Sequence, residues 1–230
     1  MIFTVCDALF DKEPDLAFAL AYMKWLDNSE PSAETDLFLE RSLLEASLRQ
    51  KTAAAKDHPL SLYDSLLHDF SIAPSYPAKA ILDTVAAGKK PEKRTAVEDM
   101  MTAITVKYDV PVIAFDIQSG KKEVTLTLAA GGEPFTAVDG TEEALSAGEP
   151  FFTWKGKAIM RRFFAKPGRT GAVTDESENV LFLIPGAASQ NERLILSARN
   201  ELARRIKSAF DCNGETAYVT SRERSIHSKI

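Results

Sequence analysis

The sequence predicts an α+β fold in which a central β-sandwich or mixed sheet is flanked by helices. Up to Asp109, apolar side chains recur mostly at the helical period. From Val110 to Ile184, short alternating or wholly apolar stretches separated by glycine turns replace that pattern. Because helices and strands are grouped along the chain instead of alternating, we do not expect a parallel doubly wound sheet.

The N-terminal part of the chain is predicted to be mainly helical after one short strand, Ile2–Val5. A helix is expected over Asp11–Asp27, because Pro14 suits a first helical turn and acidic residues beside it face the positive end of the helix dipole. The segment Glu34–Lys56 carries apolar residues at helical spacing. A shorter helix is expected after His58.

Two more helices and a run of short strands make up the rest of the chain. Ser75–Gly88 has a proline early and a glycine at its end, and Glu92–Lys107 follows it. A Gly-Gly turn is expected to join Lys121–Leu128 to Glu133–Val138 as a hairpin. The remaining predicted strands are Val110–Phe115, Phe151–Trp154, Ala158–Phe163, Asn179–Ile184 and Thr216–Thr220, and the last helix is Asn191–Phe210.

No linker divides the sequence, so a single domain is predicted over residues 1–230. Within it we expect a helical N-terminal part (1–74), a core (75–186) and a C-terminal helix and strand (187–230). The basic turn Lys89–Pro91 is too short to separate two independent domains.

The net charge of −5 argues against a protein that coats DNA through bulk electrostatics. The charges are nevertheless clustered along the chain. Residues 155–169 carry six bases and no acid, whereas residues 133–149 carry five acids and no base. This pattern allows a small anionic partner to be met by a local basic strip.

The common catalytic motifs are absent from the sequence: there is no Walker A loop, GxSxG, HExxH or GxGxxG. His58, His68 and His227 are expected to be solvated or structural, and Cys6 and Cys212 are too few for a thiolate zinc site. We therefore expect no metal and no cofactor. No apolar run approaches the ~20 residues of a membrane helix, and no basic, apolar leader is seen, so a cytoplasmic location is expected.

The basic strip, residues 155–169, carries the clearest electrostatic signal. Arg161, Arg162 and Arg169 are candidates for phosphate recognition, and the alternative is a solvated strand edge. Strand alternation would send Arg161 and Arg162 to opposite faces. Of the adjacent Phe163 and Phe164, at least one is expected in the core; the other could stack on a base, although packing is favoured.

Three strings, in order, carry a family resemblance: AVEDMMTAITVKYDVPVIAFD (96–116), GGEPFTAVDGTEEALSAGE (131–149) and TGAVTDESENVLFLIPG (170–186). The first resembles the helix and proline-led strand of the editing module in bacterial phenylalanyl-tRNA synthetase beta subunits. The other two are similar to its Asp-Gly turn and its last Asn-Val-Leu strand. This module is the B-three/B-four domain, which also occurs as free-standing proteins.

The resemblance implies a PheT/TilS-like fold and an editing activity. In the synthetase, this module hydrolyses the ester that joins tyrosine wrongly to phenylalanine tRNA at its 3′ end. From the residues alone, Asp139–Thr141 predicts a hairpin turn whose glycine also allows close approach of a ligand. The family pattern implies substrate contacts at Ile113, Phe115, Gly140, Thr141, Thr170 and Thr174, with RNA phosphate held by Arg161, Arg162 and Arg169.

The chain departs from the family pattern at two places. Ile113 stands where the synthetase family has a histidine before Ala-Phe-Asp, and AKPGRT (165–170) replaces a glycine-rich turn that carries a glutamate. The catalytic residue therefore remains unknown. Backbone N–H groups near Gly140, with threonine hydroxyls, are expected to position a water and stabilise an oxyanion.

The leading hypothesis is a free-standing domain that binds the 3′ aminoacyl end of tRNA and acts in trans as an aminoacyl-tRNA deacylase. It would not be a complete synthetase. One alternative is a non-catalytic module that binds an amino acid or an RNA, and a third possibility is a protein-interaction module that uses the acidic N-terminal part. Neither a membrane nor DNA is an expected partner.

Overall fold

The computed structural model describes residues 1–52, 60–117 and 123–227, and over these residues it has the predicted α+β architecture. The helices are α1 (Asp7–Lys12), α2 (Ala33–Thr52), α3 (Ser61–Asp69), α4 (Pro77–Ala86), α5 (Ala96–Tyr108) and α6 (Ala188–Phe210). The strands are β1 (Ile2–Val5), β2 (Leu16–Lys24), β3 (Ile113–Asp116), β4 (Glu123–Leu128), β5 (Pro134–Thr136), β6 (Glu142–Ala144), β7 (Pro150–Trp154), β8 (Lys157–Arg161), β9 (Lys166–Pro167), β10 (Val180–Ala187), β11 (Asn213–Thr220) and β12 (Ser225–His227).

The strands form two main sheets and one small hairpin. The six-stranded sheet has the order β12-β1-β4-β7-β8-β9, in which only the β1–β4 pair is parallel. The four-stranded sheet has the order β11-β2-β10-β3 and is antiparallel throughout. The hairpin consists of β5 and β6. The described strands therefore give a mixed sheet and an antiparallel sheet, not a doubly wound one.

Aromatic side chains fill the space between the two main sheets. Phe18 of β2 lies with its ring centroid 5.6 Å from that of Phe3 on β1 and 6.3 Å from that of Phe152 on β7. Phe115 of β3 lies 5.2 Å from Phe152. All four rings are fully buried. The sheets thus pack face to face as the predicted sandwich, with contacts of the size that stabilises aromatic cores.

Helices cover the outer face of the four-stranded sheet. Helix α6 packs against β2 and β10, and α5 packs against α6, α2 and α4. A capping box opens α5: the Thr95 hydroxyl accepts from the backbone N–H of Glu98, and the Glu98 carboxylate accepts from the backbone N–H of Thr95. The buried side of α6 consists of Ile195, Ala198, Leu202, Ala203, Ile206 and Phe210.

The predicted helix over Asp11–Asp27 is wrong. Helix α1 ends at Lys12, and Leu16–Lys24 forms β2, the longest strand, in which all nine residues are buried. A strand covered on both faces has a continuous apolar sequence without alternation. Its periodicity cannot be distinguished from that of a buried helix, and the proline and acids upstream favoured the wrong choice.

The predicted hairpin between the segments ending at Leu128 and Val138 is also wrong. Strand β4 pairs with β1 and β7, and β5 pairs with β6, so the Gly131-Gly132 turn carries the chain out of the six-stranded sheet. The polar C-terminal segment contains β12, which pairs with β1. Both errors concern pairings between distant segments, which local turn signals do not encode.

The other predicted helices and strands are confirmed, with shifted ends. His58, Lys121 and the end of the predicted Glu34–Lys56 helix lie outside the described residues. Among the helices that are described, none is long and apolar enough to cross a membrane.

Candidate functional site

Two segments that are distant in sequence meet beside the β5–β6 hairpin. We call residues 136–141 the turn segment and residues 168–174 the arginine loop. The backbone N–H of Arg169 donates to the carbonyl of Thr136 at 2.9 Å, and Ala137 forms an antiparallel bridge with Gly168. The predicted Asp139-Gly140 turn therefore lies directly against the end of the basic strip.

The contact between the two segments is closest at Gly140. Its φ is +90°, and a Cβ added there would lie 3.1 Å from Nη2 of Arg169. Residues other than glycine rarely adopt this backbone conformation, and a side chain would also displace the arginine. Arg169 is exposed, so its guanidinium covers the turn while remaining open to solvent.

The backbone donors expected to stabilise an oxyanion near Gly140 are already used. The N–H of Gly140 donates to the carbonyl of Ala137 at 2.9 Å, and the N–H of Thr141 donates to Oδ1 of Asp139 at 2.9 Å. These bonds are those of a closed hairpin turn, and the bond from Thr141 lowers the pKa of Asp139. The backbone N–H groups of Gly140 and Thr141 therefore do not supply the oxyanion donors that were predicted from the sequence.

The arginine loop offers donors instead. In the described part of the chain, the backbone N–H groups of Thr170 and Gly171 donate to no protein acceptor. Gly171 has a φ of +76°, and its carbonyl accepts from the N–H of Asp116 at 2.9 Å. Successive N–H groups in a loop of this kind bind anionic oxygens well. The loop therefore places these two donors next to the cation of Arg169.

A polar network holds the far end of the arginine loop. The Ser177 hydroxyl donates to Oδ2 of Asp116 at 2.7 Å and accepts from the N–H of Thr174 at 2.9 Å. Nδ2 of Asn28 donates to the carbonyl of Thr174 at 2.7 Å, while its Oδ1 accepts from the N–H of Val97 at 3.0 Å. Asn28 and Ser177 are buried, so the network fixes Thr174 to the end of the four-stranded sheet.

Sequence reasoning missed the anchoring residues Asn28 and Ser177, and it did not assign Asp116 a role. Asp116 lies in the Ala-Phe-Asp string, so a sequence motif pointed to it. Asn28 lies in the segment before α2, and no sequence motif contained it. Beside this anchor is a cavity of about 410 Å³, whose lining includes Asn28, Asp99 and Asp175. Burial raises the pKa of Asp99.

Arg161 is not available for RNA phosphate. It is 3% exposed and makes two hydrogen bonds to Glu149, of 2.7 and 2.6 Å, and one to Glu143. Glu143 in turn pairs with Lys166. The acidic stretch and the basic strip thus neutralise each other across β6, β8 and β9. We call these four residues the ion-pair cluster.

The ion-pair cluster keeps its carboxylates ionised. Burial by itself raises the pKa of Glu149, but hydrogen bonds from Arg161 and from the backbone N–H groups of Ser146 and Arg162 outweigh it, and the pKa lies below its usual value. Lys166, followed by Arg161, lowers the pKa of Glu143. The cluster is therefore a structural feature of the sheet, which explains why Arg161 points inward.

Arg162 differs from Arg161 for another reason than the predicted strand alternation: β8 ends at Arg161, and Arg162 lies in the turn that follows. It is exposed, and its backbone has a φ of +53° at the turn that ends β8. Phe163 and Phe164 are 0% and 2% exposed, and Phe163 packs edge-on against Phe18. Both phenylalanines therefore belong to the core, and neither is placed to stack on a base.

Ile113 and Phe115 also lie in the core, away from the turn segment. Ile113 is 4% exposed and pairs with Leu183, and Phe115 is 2% exposed and packs on Phe152. They alternate with Ala114 and Asp116, which are half-buried. Of the predicted substrate contacts, Gly140 lies against the Arg169 guanidinium, and Thr141 and Thr170 follow these two residues in the chain. Thr174 lies at the anchored end of the arginine loop.

Neither of the two histidines in the described part of the chain contributes to this site. His68 and His227 are exposed and lie on α3 and β12. Within the described residues, no group of three or more His, Cys, Asp and Glu side chains is arranged to hold a metal ion.

Comparison with known proteins places this geometry in context. A family model described as the B3/4 domain matches residues 75–212, more than half of the chain. One similar solved structure is an N-terminal fragment of the phenylalanyl-tRNA synthetase beta subunit from Pyrococcus horikoshii, with 12% sequence identity and a TM-score of 0.45. The match covers 94% of this chain and 53% of that fragment, so the chain spans about half of its length. No curated protein is significantly similar in sequence.

Proposed function

The chain belongs to the B3/4 domain family, and on this premise we propose that it binds the aminoacylated 3′ end of a tRNA in the cytoplasm and hydrolyses a wrongly formed aminoacyl ester in trans. The observation that carries the proposal is the meeting of the turn segment with the arginine loop. It puts the exposed cation of Arg169 against Gly140, beside Thr141, and the next two backbone N–H groups of the arginine loop donate to no acceptor among the described residues.

Arg169 and Arg162 are the proposed phosphate contacts. Both are exposed, whereas Arg161 and Lys166 are engaged in the ion-pair cluster. Guanidinium groups bind phosphate through paired N–H donors, which suits a terminal nucleotide better than a long duplex. Because the whole protein carries a net charge of −5, attraction of RNA is expected to be short-ranged and sensitive to salt.

Hydrolysis is proposed to depend on positioning. A water attacks the carbonyl carbon of the ester, the tetrahedral oxyanion accepts hydrogen bonds from the N–H groups of Thr170 and Gly171, and the ribose oxygen leaves with a proton. The products are free amino acid and uncharged tRNA. Thr141 and Thr170 supply hydroxyls that hold the water, and the neighbouring ribose hydroxyl of the tRNA assists.

The alternative is a module that binds an RNA end or an amino acid without hydrolysis. The observation in its favour is that the N–H groups of Gly140 and Thr141 are taken by the turn, which leaves fewer groups to stabilise an oxyanion. Because both functions use Arg169, a binding measurement does not distinguish them, whereas a measurement of ester hydrolysis does.

The test is the release of labelled amino acid from a panel of correctly and wrongly charged tRNAs. We expect the protein to accelerate release from at least one mischarged tRNA above the buffer rate. Arg169→Ala should lower kcat/KM about tenfold, because it removes one charge-assisted contact. The exposed Arg193 on α6 provides the matched control, and Arg193→Ala should leave the rate unchanged.

Binding of charged tRNA without any accelerated release across the panel would contradict the hydrolase and support the alternative. Equal rates for wild type and Arg169→Ala would contradict the assigned site.

A further inference from the structure

Helix α2 carries apolar side chains on its outer side as well as on its inner side. The side that faces the protein buries Phe38, Leu39 and Ala46, and with them Thr35 and Ser42, which are 0% and 1% exposed. The side that faces solvent carries Leu37, Leu44 and Leu48, which are 70%, 61% and 53% exposed. A surface helix normally has polar residues on its solvent side.

The burial of the two inward hydroxyls is not compensated by hydrogen bonds. Among the described residues, neither Oγ1 of Thr35 nor Oγ of Ser42 has a hydrogen-bond partner. Buried polar groups without partners destabilise a fold, and exposed leucines forgo the stabilisation of burial. The exposed leucines are explained if this side of the helix is covered in the functional state.

The exposed leucines form one stripe. Positions 37, 44 and 48 lie within a narrow sector of the helix surface, because seven residues make almost two full turns and four residues slightly more than one. Beside the stripe runs a groove of about 670 Å³ between α2 and the corner after α4, lined among others by Leu44, Val85 and Gly88. A second helix lying along the stripe can therefore also insert side chains into the groove.

We propose that the leucine stripe of α2 pairs with the same stripe of a second copy of this chain, with the two helices antiparallel about a two-fold axis. Leu37 and Leu48 lie at equal distances on either side of the helix midpoint between Arg41 and Leu44. Antiparallel pairing therefore sets Leu37 of each copy against Leu48 of the other. This self-complementarity is what a two-fold interface requires.

The charges flanking the stripe are complementary under the same operation. Arg41 and Glu45 form an exposed pair within α2, 2.9 Å apart. In the antiparallel arrangement, Arg41 of each copy also lies beside Glu45 of the other. On the groove side, Glu40 has Lys90 at 3.9 Å, so both signs are again present for the second copy. A second copy thus satisfies both flanks, whereas an unrelated helix would have to match each of them independently.

The interface is expected to be small. One helix face and one groove per copy correspond to the lower end of specific interfaces, roughly 1,200 Å² of total buried area. We therefore expect reversible dimerisation with a dissociation constant on the order of 10 μM.

The experiment is sedimentation velocity over a concentration series that brackets this value, with wild type, Leu37→Glu and Leu194→Glu. Leu194 is an exposed leucine on α6 and serves as the matched control. Wild type and Leu194→Glu should shift from monomer to dimer together, while Leu37→Glu should dimerise at least about tenfold more weakly, because a charge would be buried against Leu48 of the second copy. Circular dichroism checks that every variant is folded.

A charge exchange tests the antiparallel register independently of the leucines. Arg41→Glu and Glu45→Arg should each weaken self-association, since like charges then meet across the two-fold axis. An equimolar mixture of the two should recover a mixed dimer, because each contact regains opposite charges. Wild type that stays monomeric at all concentrations, an unaffected Leu37→Glu or a mixture without recovery would overturn the proposal. None of these outcomes depends on tRNA.

Discussion

Arg161 and Arg169 belong to one basic strip in sequence but have different roles in the structure. Arg161 ends β8 inside the sheet, where Glu149 and Glu143 neutralise it, and Arg169 lies exposed over Gly140. Strand alternation predicted that Arg161 and Arg162 would face opposite ways, but it could not determine which one would point inward. That choice depends on acids some 12 to 18 residues upstream, which reach Arg161 only through the pairing of distant strands.

Loss of the buried carboxylate should be costly at neutral pH. Glu149→Gln leaves the Arg161 guanidinium buried with only Glu143 as an ionised partner, and we expect a loss of about 3 kcal/mol in the free energy of unfolding. Urea denaturation at about pH 7 measures it. The adjacent exposed Glu142→Gln is the control and should change stability by no more than about 0.5 kcal/mol.

The same carboxylates should make stability fall in acid. The pKa values of Glu149 and Glu143 lie below the usual value of a glutamate in the folded chain, so their contribution is complete above that usual value and is lost as pH falls through the folded-state values. The difference between wild type and Glu149→Gln should therefore shrink between about pH 5 and pH 3. A difference independent of pH would show that the Arg161–Glu149 pair does not stabilise the fold.

At the scale of elements, the sequence predicted those whose pattern is local. The amphipathic α6, the capped α5 and the alternating β4 all have periodic apolar positions or terminal signals that one segment carries alone. Strand β2 is the counterexample, because its nine buried residues have no alternation to detect. Its identity as a strand comes from β10 and β11 on either side and from packing on both faces.

Helix α2 provides an element-level prediction about stability. Ser42→Ala removes a buried hydroxyl that has no partner and adds a residue with better helix propensity, so we expect the free energy of unfolding to rise by about 1 kcal/mol. Ser47→Ala on the outer side is the control, since its hydroxyl bonds only the carbonyl of Leu44. Chemical denaturation of both variants measures the effect, and a destabilised Ser42→Ala would mean that the hydroxyl has a stabilising role.

At the scale of the whole molecule, we propose that residues 1–230 form one domain. The N-terminal part (1–74) supplies β1 and β2, and the C-terminal part (187–230) supplies β11 and β12, so both contribute strands to the two main sheets. One large core cluster extends from Met1 to Val219. A helical N-terminal unit separable from the core is not consistent with β2 lying inside the four-stranded sheet.

A single domain should unfold in one cooperative step. Trp25 follows β2 in the four-stranded sheet, and Trp154 ends β7 in the six-stranded sheet, so each reports on one sheet. The variants Trp25→Phe and Trp154→Phe each retain one tryptophan. In each variant, the unfolding midpoint measured by fluorescence should coincide with the midpoint measured by circular dichroism. Separate midpoints for the two sheets would contradict a single cooperative unit.

The candidate site itself could be predicted only in part. The turn at Gly140 and Thr141 was predicted from the local Asp-Gly signal, whereas Thr170 was assigned only through the family resemblance. Ile113 and Phe115 were misassigned because the sequence of a strand does not determine which of its faces is exposed to solvent. Asn28 was missed because its role depends on a contact with Thr174, which is 146 residues away in sequence.

The central claim, that the arginine-loop surface contacts RNA, is tested most directly by tRNA binding across a salt series. Fluorescence anisotropy would compare wild type, Arg162→Ala/Arg169→Ala and the control Arg193→Ala. Two phosphate contacts to single-stranded RNA contribute about 1.4 to the log–log salt slope, so the double variant should bind more weakly with a slope flatter by about that amount, while the control matches wild type. Identical affinities and slopes for wild type and the double variant would contradict the account.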